Sequence, residues 1–213
     1  MLNPALPSAR RAIALLVRHG RTSLNAKKRL RGWEDVPLEA AGEGDAYLAA
    51  NKLKIYKPKM VYSSDLQRDT QTAYIIAEVN NNIPYESDFA LRTADVGVLS
   101  GMKEDEAYDR ILRWYQMPWE PAPSGESFNM WARRYWGFYE PKLELARTVS
   151  AFRPSVFVSH GRNIAYVDAT YRGIPPEQGR MPYPGGVAVV WSNHDGMDSL
   201  EFLTGSEPVL EDA

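Results

Sequence analysis

Ala12-Ile13-Ala14-Leu15-Leu16-Val17 is an unbroken apolar run that gives way abruptly to Arg18-His19-Gly20. A short run without polar alternation suits a strand buried on both faces, as in a parallel sheet. The same design recurs twice. Met60-Val61-Tyr62 leads into Ser63-Ser64-Asp65, and Ser155 to Val158 leads into Ser159-His160-Gly161. Between these strands the apolar spacing becomes helical. The spacing predicts helices over 39–53 and 66–80, and another from Gly161 to Tyr171. Strands alternating with helices imply an α/β fold with a mostly parallel central sheet. Val187 to Trp191 and Leu200 to Leu203 read as two further strands around the turn residues Asn193 to Gly196. A short strand is expected near Ile83-Pro84-Tyr85. Helices are also expected at 103–116 and 127–148, joined by the turn-rich residues 118–125. Residues 92–150 hold no convincing strand and read as a helical insertion over the sheet edge. Residues 21–38 read as irregular, and residues 1–9, with two prolines, as a loose N-terminal arm to a single domain over 1–213.

Composition narrows the chemistry. At 213 residues the chain can bury roughly 70% of its unfolded surface, enough for a core without staples. It has no cysteine, which excludes disulfides, thiolate nucleophiles, iron–sulfur clusters and cysteine-bound zinc. Lysine and arginine number 25 against 27 acidic residues, a net charge of −2 that argues against bulk nucleic-acid binding. The six-residue run at 12–17 is too short for a membrane span or a signal-peptide core. A cytoplasmic protein is therefore expected, with no membrane partner. Oligomeric state is not encoded legibly, and a homo-oligomer stays open.

In α/β folds ligands sit beyond the carboxyl ends of the strands. Arg18, His19, Gly20, Arg21, Thr22 and Asn25 follow the first strand. Ser63 and Ser64 follow the second, with Arg68 one helical turn on. Ser159, His160 and Gly161 follow the third. Two imidazoles and several guanidiniums in one crevice suit a phosphoryl group, because arginine offers paired planar donors to phosphate oxygens. Helix starts add backbone N–H groups and a favourable dipole. Singly, each of these residues has an ordinary reading as a polar loop or helix residue; their joint place at three strand ends points to a site.

These blocks resemble the histidine phosphatase superfamily, the phosphoglycerate mutase-like proteins. LVRHGRTSLN (16–25) fits its RHGxTxxN signature. YSSDLQRDTQTA (62–73), PSGESF (123–128) and VFVSHGRNI (156–164) resemble its later blocks, in family order. The resemblance implies a three-layer α/β/α sandwich and a phosphatase acting on a small organic phosphate ester. It implies His19 as the phospho-accepting nucleophile, no metal and no cofactor. Arg18, Arg68 and His160 would bind the phosphoryl group, with Asn25 and Arg21 close by and Ser64, Gly161 and Glu126 at its edges. A cofactor-dependent phosphomutase and a catalytically weak phospho-ligand binder are the alternatives.

Two departures stand out. The family's third block reads roughly LxExxxGxxxG, with glutamate as general acid. Here LRTADVGVLSG (91–101) puts Thr93 at that position. Threonine is no useful acid at neutral pH, so Asp95, two residues on, is the first candidate donor and Glu126 the second. Asp69 occupies a place where the family usually has a small residue. It either favours the helix N-terminus or weakens Arg68's hold on phosphate. Lys27, Lys28, Arg29 and Arg31 form a basic run that reads as a solvated loop face or as a lure for anionic substrates. The aromatic residues of the insertion read mostly as core.

Overall fold

The computed structural model describes residues 10–149, 153–193, 197–203 and 205–206. The proposed arm at 1–9 and the turn residues 194–196 lie outside them. Six strands form one sheet: β1 (Arg11–Arg18), β2 (Met60–Ser63), β3 (Tyr85–Ser87), β4 (Ser155–Ser159), β5 (Val187–Ser192) and β6 (Asp198–Phe202), in the order β3-β2-β4-β1-β5-β6. The first four run parallel, while β5 and β6 pair antiparallel at one edge. The parallel core thus brings the ends of β1, β2 and β4 side by side.

Helices α2 (Ala40–Leu53) and α3 (Gln67–Val79) cover one face, and α5 (Phe128–Thr148) and α6 (Gly161–Arg172) the other. The pleat of β1 supplies both cores. Leu15 and Val17 pack with Ala49, Leu53, Ala73 and Ile76. Ile13 and Leu16 pack with Tyr135, Tyr139, Leu143 and Ile164. This is why the run at 12–17 carries no polar residue: both sides of the strand lie under helices.

The region expected as a helical insertion divides in two. Helix α4 (Glu104–Gln116) and the first turns of α5 build a satellite core of Leu30, Val96, Leu99, Trp114, Phe128 and Trp131. The rest of α5 is a layer helix against β1 and β4. Glu104, Asp105 and Glu106 occupy the first turn of α4, where negative charge complements the helix dipole.

Two local expectations shift. β3 begins at Tyr85 rather than Ile83, because Pro84 has no N–H for the ladder and contributes only its carbonyl, to Val61. The stretch read as irregular holds a one-turn helix, α1 (Ser23–Ala26). No helix of the described residues is long and apolar enough to cross a membrane.

Candidate active site

His19 sits just beyond β1, and its backbone N–H donates to the Ser159 carbonyl at the end of β4 at 3.0 Å. The turn then runs against the start of α2. A Cβ on Gly20 would lie 2.1 Å from the Gly42 carbonyl oxygen, and one on Gly42 would lie 2.1 Å from that of Arg21. Only paired glycines allow this approach. Thr72 on α3 accepts from the Gly20 N–H at 3.2 Å and donates to the Arg68 carbonyl at 2.8 Å. The turn is therefore held from β4, α2 and α3.

The imidazole of His19 is buried, with Nδ1 2.7 Å from the Gly20 carbonyl oxygen. A carbonyl only accepts, so Nδ1 carries the proton and Nε2 keeps its lone pair. Burial holds the pKa of His19 well below the ordinary value. The positive charges of Arg68, Arg31 and Arg18 act in the same direction, against a smaller opposing pull from the Gly20 carbonyl. His19 is thus a neutral imidazole with one defined basic nitrogen.

His160 caps α6 and lies edge-on to His19, ring centroids 5.3 Å apart. It is also buried, and its Nε2 lies 3.2 Å from Ser64 Oγ and 3.4 Å from Asp69 Oδ2. Burial, Arg68 and His19 hold its pKa well below the ordinary range. Arg18 sends Nη1 to the Pro182 carbonyl at 2.8 Å. Its Cζ lies 3.2 Å from where a Cβ of Gly161 would stand, so the glycine lets the guanidinium rest on the start of α6. Arg68 is fully buried and donates to the carbonyls of Glu34 at 2.7 Å and Gly32 at 3.1 Å. It thereby holds the loop 31–35 over the site. Two imidazoles, Arg18, Arg68, Ser64 and the first turn of α6 form one cradle rich in donors.

Other expected residues do not join it. Arg21 turns outward, is half-exposed, and pairs with Asp45 through two contacts of 2.8 and 2.9 Å. The side-chain oxygen of Asn25 accepts from the Thr22 N–H at 3.0 Å and hydroxyl at 2.9 Å. Asn25 therefore shapes the turn after Arg21. Thr93 is buried, and its carbonyl accepts from Trp33 Nε1 at 2.9 Å. Glu126 is the centre of a knot: Oε1 accepts from the Asp95 N–H at 2.9 Å and from Arg134 at 2.5 Å. Glu126 Oε1 is thus committed to the local fold, tied to both the Asp95 N–H and Arg134. Asp95 Oδ1 accepts from the Gly97 N–H at 2.9 Å.

Arg31 belongs electrostatically to the site, since its charge bears on His19, His160 and Asp69 alike. The basic run containing it was the only signal in the sequence, and nothing there separates Arg31 from its three neighbours. Among the described residues no three His, Asp or Glu side chains converge to hold a metal ion.

A family model of the histidine phosphatase superfamily (branch 1) matches residues 14–199. A protein of Yersinia enterocolitica named "probable phosphoglycerate mutase GpmB" is 32% identical over 170 residues, covering 78% of this chain and 77% of its own. A 2,3-bisphosphoglycerate-dependent phosphoglycerate mutase of Cytophaga hutchinsonii is 29% identical over 171 residues, covering 78% and 79%. Among solved structures, a mycobacterial glucosyl-3-phosphoglycerate phosphatase complexed with VO3 superposes with a TM-score of 0.74 at 25% identity, over 90% of this chain and 97% of its own. The phosphoglycerate mutase of Bacillus anthracis shares the fold, with a TM-score of 0.73 at 21% identity over 92% and 93%. With its RHG turn, buried histidine pair and six-stranded mixed sheet, the chain belongs to the histidine phosphatase superfamily, branch 1.

Proposed function

We propose that the protein is a phosphatase that hydrolyses a small organic phosphomonoester through a phosphohistidine at His19. The observation that carries this is the 2.7 Å contact between His19 Nδ1 and the Gly20 carbonyl. It leaves Nε2 as the only basic atom of a neutral, buried imidazole beside His160, Arg18 and Arg68. In the first step Nε2 attacks phosphorus in line with the leaving oxygen. The N–P bond forms, the P–O bond breaks, and the leaving alcohol takes a proton from an acid. Charge spreads over three equatorial oxygens, and Arg18, Arg68, His160 and backbone N–H groups stabilise it. The guanidiniums supply the positive charge, so no metal is called for. In the second step water attacks phosphorus, gives up a proton to the conjugate base of that acid, and releases His19 and phosphate.

Asp95 is the proton donor in this reading. Among the described residues its Oδ1 accepts only from the Gly97 N–H, whereas Glu126 Oε1 accepts from both the Asp95 N–H and the Arg134 guanidinium and is the more committed of the two. The names of the relatives from Yersinia and Cytophaga favour a second reading, a phosphomutase in which an alcohol replaces water as acceptor. Turnover in ¹⁸O-labelled water separates the two. A phosphatase places one labelled oxygen in each phosphate released, with or without a bisphosphate primer. Primer-dependent isomerisation without labelled phosphate would establish the mutase, and neither product from any sugar, nucleotide or glycerate phosphate would leave a phospho-ligand binder.

A further inference from the structure

Asp69 is an acidic residue in the first turn of α3. Acids there usually face water, where they complement the helix dipole. Asp69 is instead fully buried, and neither carboxylate oxygen closes a hydrogen bond of good geometry. Its Oδ2 lies 3.4 Å from His160 Nε2 and 3.7 Å from Arg68 Nε. It therefore stands against two groups of the cradle and out of reach of solvent. A buried carboxylate so weakly hydrogen-bonded persists only if it is neutral or faces a cation, and here both answers are at hand. Burial lifts its pKa to about 7. The charge of Arg68 and the nearby Ser64 hydroxyl pull it down, Asp65 pushes it up, and Arg31 pulls it down. These groups reach it from α3 itself, from the turn after β2, from the loop over the site and, with His160, from the start of α6.

We propose that Asp69 is a positioning residue that makes the cradle's hold on a tetrahedral oxyanion depend on pH. When ionised it draws on Arg68 and repels the oxyanion. When protonated it leaves the charge of Arg68 to the oxyanion. The proposal rests on the reading of the cradle as a phosphoryl site. The sign follows from linkage. A bound dianion disfavours a second negative charge beside Arg68, so binding takes up a proton, and affinity falls as pH rises through the range where Asp69 ionises. For a phosphatase, that loosens the inorganic phosphate product on the alkaline side. Asp69→Asn keeps the shape and removes the charge.

The test is calorimetric titration with dilute tungstate between about pH 7 and 9, where it stays a monomeric tetrahedral dianion and does not itself take up protons. It is run in two buffers of different ionisation enthalpy, which counts the protons taken up. The wild-type affinity is expected to fall by up to about tenfold per pH unit above about pH 7, with proton uptake on binding. Asp69→Asn is expected to bind with a flat pH dependence from Asp69's share, and about tenfold more tightly than wild type near pH 8. A merely structural Asp69 would alter the melting temperature and leave the proton count alone. Equal slopes and equal proton uptake in the two proteins overturn the inference. If Asp69→Asn does not fold, Asp69→Ala replaces it, and a wild-type affinity independent of pH without proton uptake overturns the inference alone. Absence of tungstate binding to wild type overturns the phosphoryl-site reading itself, and does so before any variant is compared.

Discussion

In the cradle at the strand ends, main-chain carbonyls steer the reactive side chains. Gly20 holds Nδ1 of His19, Pro182 holds Arg18, and Gly32 and Glu34 hold Arg68. In the flank that carries Thr93, Asp95 and Glu126, the carboxylates instead hold the local fold together. Glu126 braces Arg134 and the Asp95 N–H, and Asp95 braces Gly97. At His19 the backbone acceptor fixes the ring through Nδ1 and leaves Nε2 its lone pair. In the phosphatase reading, nucleophile and oxyanion clamp are thus held from the backbone, while proton delivery falls to a carboxylate of the flank, Asp95.

That contrast is sharpest in the response to leaving groups. An alkoxide leaves phosphorus with difficulty unless a proton arrives with it, whereas an aryl oxide is a stable anion. Asp95→Asn is expected to lower kcat/KM for alkyl phosphates by about 10²–10⁴-fold and to change p-nitrophenyl phosphate little. Asparagine still accepts from Gly97, so the turn survives. Equal losses on both substrates would move Asp95 from chemistry to structure and erase the distinction between the two regions.

Cradle variants should behave in the opposite way. Arg18→Lys, Arg68→Lys and His160→Ala are each expected to cost about 10²–10³-fold in kcat/KM, alike for aryl and alkyl esters, and to weaken vanadate inhibition in parallel. Lysine keeps the charge but loses the paired donors. A variant with wild-type vanadate affinity and wild-type turnover would show that its residue is not part of the clamp. The smallest effect belongs to Arg21, outside both regions. Arg21→Ala should change kcat/KM by less than about threefold and stability by at most about 1 kcal/mol, since the Arg21–Asp45 pair is half-exposed. A loss as large as that of Arg68→Lys would bring Arg21 back into the site.

The sheet was legible because its signal is local. A strand buried on both faces must be apolar throughout, and Ile13 to Val17 announces that without help from the rest of the chain. Arg18, His19, Arg68 and His160 were legible for a related reason: parallel strands bring their carboxyl ends together. What the sequence could not express was which polar groups would find a partner first. Arg21 lies three residues from Arg18, yet Asp45, far along the chain, claims it. Asn25 and Glu126 read as ligand contacts, yet Thr22 takes the side-chain oxygen of Asn25 and Arg134 pairs with Glu126 Oε1. Arg31 was hidden within a run of like charges, and Asp69 stood out only as an unusual neighbour for Arg68. These outcomes depend on packing between distant segments, which apolar spacing does not record.

Covalent phosphorylation of His19 Nε2 is the step on which the phosphatase reading depends. Wild type should be mixed with a ³²P-labelled phosphomonoester, quenched within a turnover, digested and mapped. An acid-labile, base-stable label is expected on the peptide containing residue 19, absent from His19→Ala, which should also lose turnover. Label on a serine, or normal turnover by His19→Ala, would contradict that reading.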